Sequence, residues 1–389
     1  MMIKGEDISV LGGGIGGLAV AVALALRGAS VRVLEQAPVL SEIGAGLQVS
    51  PNGVAVLDAL GLGDEARALA VHGRAVCLRD GTSGRQVMRL DLARWAPDQT
   101  YLYFHRADLV SLLEKAARAA GVMFELGRRI DQVTETSAGY RLSSAGGHSD
   151  NVGLLIGADG LHSRLRPVLN GAETPFFTGQ TAWRALVPAQ GNEPAEAVVH
   201  MGKRRHMVSY PLRGGKLINI VAVAERQQWS AEGWNLAGDP LALRQCFDAF
   251  RGPAQALLAQ VEEVSYWGLF RHPVAASWYG NNAALVGDAA HPTLPFLAQG
   301  ANMALEDAWV LADCLERYER EEALPRYQQM RRTRVVRVIE AANSNAQNYH
   351  LSGPKKLAAH AALRLGGALA PRHVLSRFDW IYRHDVTRG

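Results

Sequence analysis

The sequence predicts an α/β protein with a doubly wound domain of the three-layer ββα type, an inserted antiparallel sheet and C-terminal helices. Three observations predict this fold. A glycine-rich loop at residues 12–17 joins an apolar strand to a helical pattern near the start of the chain. From residue 179 the chain changes to short strands separated by turn residues. An apolar strand at residues 283–286 then enters a second loop, 287–292, which indicates a return to the first domain.

The first loop has the features of a dinucleotide-binding turn. Glycine at Gly12, Gly14 and Gly17 would let the backbone approach a pyrophosphate, whose charge is stabilised by the amides and dipole of the following helix. The next predicted strand ends beside Glu35, 23 residues after Gly12. An acidic residue at that distance is expected to accept hydrogen bonds from the ribose hydroxyls of adenosine.

The remaining elements follow from local periodicity and turn residues. We predict helices at 18–24, 53–62, 105–120, 241–260 and 301–317, a hairpin at 76–90, and strands at 8–11, 30–34, 122–126, 130–134, 140–144, 152–156, 181–187, 197–201, 206–211 and 216–224.

We expect these elements to group into four segments along the chain. Residues 1–178 form the first part of the dinucleotide-binding domain and contribute a small sheet to the substrate side near 76–104. Residues 179–278 form the substrate domain. The chain returns to the first domain at 279–325 and ends in a helical cap at 326–389.

Composition indicates a globular protein: 389 residues, with 48% apolar and 20% charged residues. No apolar run reaches the length of a membrane span, and the first strand follows the N-terminus directly, so we expect a cytoplasmic protein without membrane contact. We expect a monomer or a homodimer. The cysteines Cys77, Cys246 and Cys314 are far apart, and the 12 histidines show no metal-ligand spacing. We therefore predict no metal site.

The C-terminal cap is basic, with 12 Lys and Arg against 3 Asp and Glu between residues 326 and 389. A basic tail can bind nucleic acid. Here apolar residues such as Val335 and Ile339 are interspersed among the basic residues at the spacing of a helix. We therefore interpret the tail as amphipathic helices with a solvated basic face, and we expect no nucleic-acid partner.

Three separated segments together resemble the FAD-dependent aromatic hydroxylases, the group A flavoprotein monooxygenases. They are the loop at 12–17, the segment Gly157-Ala158-Asp159-Gly160, and the segment that begins Gly287-Asp288 and continues through Gly300 and Asn302. They stand in the family's order and at its usual spacing. The resemblance covers essentially the whole chain.

The resemblance implies one FAD, bound noncovalently. Asp288 would accept a hydrogen bond from a ribitol hydroxyl, and Asp159 belongs to a motif with roles in FAD and NAD(P)H binding. Arg106 occupies the position of the family's FAD-contacting arginine. Gly300 and Asn302 begin a helix whose positive end would stabilise the negative charge of reduced flavin.

Within the family, the sequence is most similar to the salicylate and hydroxybenzoate hydroxylases. The similar stretches are 44–52, 182–188, 206–211 and 295–300. The resemblance of these stretches implies that Gly46 and Gln48 contact the cofactor, and that Gln48 and Pro295 contact the substrate. A related enzyme that acts on hydroxylated pyridine acids has histidine in place of Gln48. The family commonly has a basic residue after Glu35, whereas this chain has Gln36.

The resemblance implies that NADH or NADPH, bound transiently, reduces the flavin, which reacts with O2 to give a C4a-hydroperoxide. Such an electrophilic oxygen needs an electron-rich ring, and an ionised ring hydroxyl supplies electron density. We predict His206 as the base and Tyr210, on the same strand, as a second catalytic residue, and we expect both to contact the substrate. His206 as an ordinary hydrogen-bonded sheet residue remains open. His291 is expected to stabilise the flavin loop.

The sequence thus predicts an FAD-dependent monooxygenase that hydroxylates a small electron-rich aromatic acid such as a salicylate or hydroxybenzoate. Two alternatives remain at this stage: an FAD-dependent oxidase or dehydrogenase, and a flavin-bound ligand sensor without turnover. The sequence does not decide the ring, the regiochemistry, loss of the carboxylate, or NADH against NADPH.

Overall fold

The computed structural model describes residues 2–40, 46–227 and 236–388. Residues 44 and 45 of the similar stretch at 44–52 therefore lie outside the described residues. The strands are β1 (Asp7–Leu11), β2 (Ser30–Glu35), β3 (Gly46–Val49), β4 (Val71–His72), β5 (Ala75–Asp80), β6 (Gln86–Asp91), β7 (Leu102–His105), β8 (Met123–Leu126), β9 (Gln132–Thr136), β10 (Gly139–Ser143), β11 (Ser149–Val152), β12 (Leu154–Gly157), β13 (Phe176–Pro188), β14 (Glu196–Gly202), β15 (Arg205–Leu212), β16 (Leu217–Glu225), β17 (Leu236–Ala237), β18 (Ser265–Arg271), β19 (Tyr279–Gly280) and β20 (Ala283–Leu285).

The helices are α1 (Ile15–Ala25), α2 (Pro51–Ala59), α3 (Gly63–Leu69), α4 (Leu92–Trp95), α5 (Arg106–Ala119), α6 (Arg166–Asn170), α7 (Pro240–Cys246), α8 (Pro253–Ala259), α9 (Gly300–Arg317), α10 (Arg320–Tyr349), α11 (Gly353–Leu369), α12 (Pro371–Ser376) and α13 (Asp379–Tyr382). Among the described residues, no helix has the length and apolar character that crossing a membrane requires.

The first sheet has six strands in the order β19-β20-β12-β1-β2-β8. All its pairs are parallel except β19 with β20. Helix α1 packs against α5 and α9, and a three-stranded sheet of β9, β10 and β11 contacts β1 and β12. Helices, parallel sheet and small antiparallel sheet form the three layers expected from the sequence, so the predicted fold class is confirmed.

The turn between β1 and α1 explains two of the glycines. Gly12 has a positive φ of 98°, which favours glycine. A Cβ on Gly17 would lie 1.9 Å from the backbone oxygen of Gly12, so only glycine lets the first turn of α1 pack this closely against the loop. These glycines therefore set the direction in which the N-terminus of α1 points.

The second sheet has eight strands in the order β17-β18-β13-β16-β15-β14-β5-β6. The predicted hairpin at 76–90 is present as β5 and β6. The sheet is not wholly antiparallel as predicted, because β5 pairs with β14 in parallel. These two strands are joined by a long crossover through the first domain, which permits the parallel pairing that a short turn cannot make.

Two predicted elements are each divided in the structure. The single helix predicted at 241–260 is wrong: α7 ends at Cys246 and α8 begins at Pro253, after Gly252 with a φ of 65°. The strand predicted at 152–156 is present mainly as β12, but its first residue, Val152, ends β11, which belongs to a different sheet. In the helical case the Gly252-Pro253 pair determines where α8 begins, since the positive φ of Gly252 is not helical and proline favours the first turn of a helix.

A buried ionic cluster joins α9 to α10. Arg331 of α10 contacts both carboxylates of α9, with Nη1 2.6 Å from Glu306 Oε2 and Nε 2.8 Å from Asp307 Oδ1. Arg334 also binds Glu306, through Nη2 at 2.8 Å. Glu306 and Asp307 are 0% exposed and Arg331 is 1% exposed. The expectation of a wholly solvated basic face is therefore wrong for Arg331.

The cluster reaches the second glycine-containing loop. Asp307 Oδ2 accepts a hydrogen bond from the Gly287 backbone N–H at 3.0 Å and lies 2.5 Å from Nε2 of His291. It also reaches α2, because Asn52 Nδ2 donates to Glu306 Oε1 at 2.6 Å. One group of side chains thus fixes the loop at 287–291 relative to α2, α9 and α10.

The cluster also makes the stability of the folded protein depend on pH. Burial acts to raise the pKa of Glu306 and Asp307, but the neighbouring cationic groups outweigh it and hold both pKa values at about 2. An unfolded chain would titrate these carboxyls near pH 4. Their stabilisation is therefore complete above about pH 5 and is lost as the pH falls from about 4 toward 2.

We expect Arg331→Met to lower the free energy of unfolding by about 3–5 kcal/mol, because it leaves two buried carboxylates without their shared cation. Chemical denaturation at neutral pH measures this change. The matched control is Arg326→Met on the same helix, since Arg326 is exposed and pairs with Glu322 one turn away. The control should leave the denaturation midpoint unchanged. Equal midpoints for both variants would contradict a structural role for the cluster.

Candidate active site

A cavity of about 680 Å³ lies between the first domain and the eight-stranded sheet. Its lining contains every residue predicted for the site except Gly17 and Asn302. The two glycine-containing loops, which are far apart in sequence, therefore reach one cavity together with strand β15. Its volume is in the range typical of pockets that bury a small ligand or cofactor.

The β1–α1 turn presents open backbone to the cavity. A Cβ on Gly14 would meet no atom within 4 Å, and Gly14 is also the residue that precedes the first turn of α1. Backbone amides and the positive end of the α1 dipole therefore face space that an anionic group can occupy.

Glu35 lies at the end of β2 and lines the cavity beside this turn. Its Oε2 accepts a hydrogen bond from the Gly13 backbone N–H at 2.6 Å, and Oε1 accepts from the Ala37 N–H at 2.8 Å. Two backbone donors thus fix the orientation of the carboxylate. Each oxygen keeps a second lone pair with which it can accept from a ligand hydroxyl.

Two aspartates line the middle of the cavity. Asp288 is exposed because its side chain projects into the cavity. Desolvation by the surrounding protein nevertheless raises its pKa, against the opposing effects of His291 and Arg106. Asp159 Oδ2 accepts from the Arg164 backbone N–H at 2.6 Å, whereas its buried Oδ1 has no hydrogen-bond partner among the described residues.

Strand β3 and helix α9 form the adjoining wall. Gly46, Gln48 and Gly300 line the cavity, and Gly300 is the first residue of α9. A Cβ on Gly46 would lie 2.6 Å from Cγ of Asn219, whose Oδ1 accepts from the Gly46 N–H at 2.7 Å. Gly46 is thus required for close packing of β3 on the eight-stranded sheet.

Asn302 and His291 act behind the cavity wall. Asn302 is buried and its side chain holds three backbone groups: Oδ1 accepts from Ser50 N–H, and Nδ2 donates to the oxygens of Gln48 and Ala298. The structure gives its side chain a positioning role for β3. His291 is buried against Asp307, in agreement with the loop-stabilising role expected from the sequence.

One face of the eight-stranded sheet closes the other end of the cavity. Side chains alternate between faces along a strand, so His206, Val208 and Tyr210 of β15 all point to the cavity. Arg184 of β13 lines the same wall, 5.0 Å from the ring centroid of Trp267. Burial raises the pKa of Tyr210 despite the nearby Arg184, so the phenol stays protonated.

His206 begins a chain of hydrogen bonds that leaves the cavity. Its Nδ1 lies 2.8 Å from Nε2 of His350, and His350 Nδ1 lies 2.7 Å from Oε1 of Glu225. The ring of His206 also contacts Phe296 and Tyr349. Burial, and the nearby His350, lower the pKa of His206 to about 3, so its imidazole is neutral at neutral pH.

Several residues of this region were missed by the sequence analysis. Arg128 and Arg129, after β8, line the cavity together with Gln36, where the sequence lacked the expected basic residue. The pairing of β2 with β8 places them there, and no local motif predicts it. Arg184 lies in the stretch 182–188, whose similarity to the family does not by itself single out this arginine.

FAD fits this lining. The open backbone at Gly14, the carboxylate of Glu35, the unpartnered Oδ1 of Asp159 and the exposed carboxylate of Asp288 are complementary to the phosphates and hydroxyls of a dinucleotide. Among the residues that the structure describes, no group of His, Cys, Asp or Glu could hold a metal ion.

Comparison with known proteins identifies the family. Residues 6–342 match the model of the FAD binding domain family. The chain is 35% identical to 3-amino-4-hydroxybenzoate 2-monooxygenase of Streptomyces cremeus, with 91% of each chain covered. It is 33% identical to 3-hydroxybenzoate 6-hydroxylase 1 of Aquipseudomonas alcaligenes, with 98% of each covered.

A solved structure agrees with these relatives. The substrate complex of salicylate hydroxylase superposes with a TM-score of 0.82 at 25% sequence identity, over 99% of this chain and 97% of the other. These relatives confirm the predicted monooxygenase and do not support the two alternatives, an oxidase or dehydrogenase and a ligand sensor. The chain belongs to the family of FAD-dependent aromatic-ring monooxygenases.

Proposed function

We propose that this enzyme hydroxylates a small aromatic acid with a ring hydroxyl, of the salicylate or hydroxybenzoate type. The observation that carries the proposal is the composition of the cavity: both glycine-containing loops line one part, and a sheet face with His206, Tyr210 and Arg184 lines another. FAD and the aromatic acid would occupy these two parts side by side.

The cofactor would be held by the residues of the first domain. Gly12 and Gly14 with the start of α1 would bind the pyrophosphate, and Glu35 would bind the adenosine ribose. Asp288 would bind the ribitol chain. Bound FAD, once reduced by NAD(P)H, supplies oxygen from O2 in a form that attacks an electron-rich ring. The start of α9 at Gly300 would stabilise negative charge on the flavin through its dipole.

The substrate would bind against the sheet face. Trp267, Leu269 and Val223 supply an apolar wall for a ring. Arg184 is a cation on the same wall, and an arginine suits a carboxylate because its donors match both oxygens. Tyr210, which stays protonated, can donate a hydrogen bond to the substrate but cannot take its proton.

His206 is the proposed base for the ring hydroxyl. It lines the cavity, and its neutral imidazole keeps a nitrogen lone pair at neutral pH. Taking the hydroxyl proton raises the electron density of the ring where oxygen is to be added.

We expect Asp288→Ala to weaken FAD binding by about tenfold or more, because it removes a charged hydrogen-bond acceptor worth roughly 1.5–3 kcal/mol. Titration of the apoprotein with FAD, followed by flavin fluorescence, gives the Kd. Asp288→Asn should recover part of the affinity, since its amide oxygen still accepts. Asp98→Ala is the control, because Asp98 is exposed and pairs with Arg383. Undiminished affinity in Asp288→Ala would contradict the assignment.

We expect His206→Asn to slow product formation by about 10²–10⁴-fold, the usual contribution of a positioned base. An aerobic screen of hydroxybenzoates, aminobenzoates and hydroxypyridine acids, read by product mass, first identifies the substrate. The ratio of product formed to NAD(P)H consumed should then fall in the variant, while its FAD affinity stays at the wild-type value.

The matched control for this variant is His200→Asn. His200 is also a buried histidine of the same sheet, on β14, but it does not line the cavity. It should retain wild-type hydroxylation. If His206→Asn instead keeps the wild-type rate and product ratio, His206 is a structural sheet residue and another group activates the ring.

A further inference from the structure

Three residues connect the cavity to the surface by hydrogen bonds. His206 is 1% exposed and lines the cavity, the His350 side chain is 5% exposed, and the Glu225 side chain is 34% exposed. The two joining distances are 2.8 Å and 2.7 Å. The series of hydrogen bonds therefore runs from the buried cavity wall at His206, through the imidazole of His350, to the solvent-exposed carboxylate of Glu225.

The fold brings these residues together from three places. His206 lies near the start of β15 and Glu225 ends β16, the neighbouring strand. The register pairs His206 with Val223, so Glu225 lies close to the β14–β15 turn, where Arg204 Nε donates to Glu225 Oε2 at 2.9 Å. His350 follows the last residue of α10, whose Ala342 and Ala346 pack against residues of the sheet.

The hydrogen-bond pattern fixes the tautomers. A carboxylate oxygen only accepts, so His350 must carry its proton on Nδ1, toward Glu225. Neutral His350 then has its lone pair on Nε2, and His206 must donate to it from Nδ1. Neutral His206 is left with a lone pair on Nε2. That is the nitrogen with which a base on the cavity wall would accept a proton.

We infer that His206, His350 and Glu225 form a proton relay that carries the proton of the substrate's ring hydroxyl from the closed cavity to water. The inference rests on the proposed function and assigns His350 and Glu225 as positioning residues that act through His206.

The relay conserves protons at every step. The substrate O–H bond breaks and its proton joins Nε2 of His206, while the proton on His206 Nδ1 passes to Nε2 of His350. The proton on His350 Nδ1 passes to Oε1 of Glu225, which releases it to water. When the phenolate oxygen is protonated again, Nε2 of His206 gives its proton to that oxygen, Nε2 of His350 gives its proton to His206 Nδ1, and a proton taken from water by Glu225 passes to His350 Nδ1. These transfers restore the original tautomers.

The low basicity of His206 agrees with a relay. Burial and the nearby His350 lower the pKa of His206 to about 3, so an imidazole with protons on both nitrogens is unfavourable, and the proton on Nδ1 has to leave as Nε2 accepts one. Glu225 suits the opposite end, because contact with His350 and Arg204 outweighs its desolvation and lowers its pKa. A proton delivered to its carboxylate therefore leaves readily for water.

The test follows ionisation of a phenol in the oxidised FAD-bound enzyme without NAD(P)H. The probe is a nitro-substituted hydroxybenzoate, whose phenolate absorbs visible light, mixed with the enzyme in a stopped-flow instrument. We expect His350→Ala and His350→Gln to slow phenolate formation by about tenfold or more, a part of the 10²–10⁴-fold that positioned proton transfer contributes. Glu225→Gln should slow it as well.

Two further measurements separate a relay from a structural role. Added imidazole should restore the rate in His350→Ala, because it can occupy the vacated space and pass a proton, and it should not accelerate the wild type. His350→Gln can keep a hydrogen bond to His206 but has no second nitrogen to complete the transfer. The control His200→Gln should ionise the probe at the wild-type rate.

The outcomes distinguish the two proposals. If the wild type ionises the probe and both His350 variants do so at the same rate, the relay is overturned while the role of His206 stands. If imidazole fails to restore a slow His350→Ala variant that binds FAD normally, His350 is structural and the relay is again overturned. If the wild type binds the probe without ionising it, the proposed function of His206 fails and the relay fails with it.

Discussion

The rest of the structure depends on the buried contact of Arg331 with Glu306 and Asp307. Two adjacent carboxylates and an arginine without access to water are costly to bury unless all of them are paired. Each carboxylate also binds a second part of the chain, because Asp307 holds the loop of Gly287 and His291, and Glu306 holds the start of α2. A single ionic core thus sets the distance between parts of the chain that are hundreds of residues apart.

This core explains how one cavity can be built from so many segments. The Asp288 loop is fixed on one side of α9, and Asn302, on the same helix, fixes the backbone of Gln48. The eight-stranded sheet is then fitted to β3 by the contact between Gly46 and Asn219. The polar residues behind the wall therefore hold the segments of the wall in place.

The sequence could predict those parts of the site that are encoded locally. The turn of Gly12 and Gly17, Glu35 at the end of the next strand, and the fold class all follow from short spacings. The break at Gly252 was also visible in the sequence, as a Gly-Pro pair, although we predicted one continuous helix there. These features need no knowledge of distant residues.

The remaining features depend on contacts between distant segments. Arg331 belongs to a tail that is basic on average, and only the packing of α10 on α9 shows that it is buried. No local pattern singles out His350 or Glu225, because their hydrogen bonds join distant parts of the sequence. His206 and His350 are 144 residues apart, and His350 and Glu225 are 125 residues apart. Periodicity cannot reveal such contacts, since it reports only on neighbours along one element.

The most direct measurement is incorporation of labelled oxygen. The purified enzyme is supplied with FAD, NAD(P)H, ¹⁸O2 and the aromatic acid that it turns over, and the product is analysed by mass spectrometry. A site that joins a flavin to an activated aromatic ring predicts a product that contains one ¹⁸O atom from O2 and one new ring hydroxyl. A product whose new oxygen comes from water, or NAD(P)H oxidation that yields only hydrogen peroxide with every acid tested, would contradict this account.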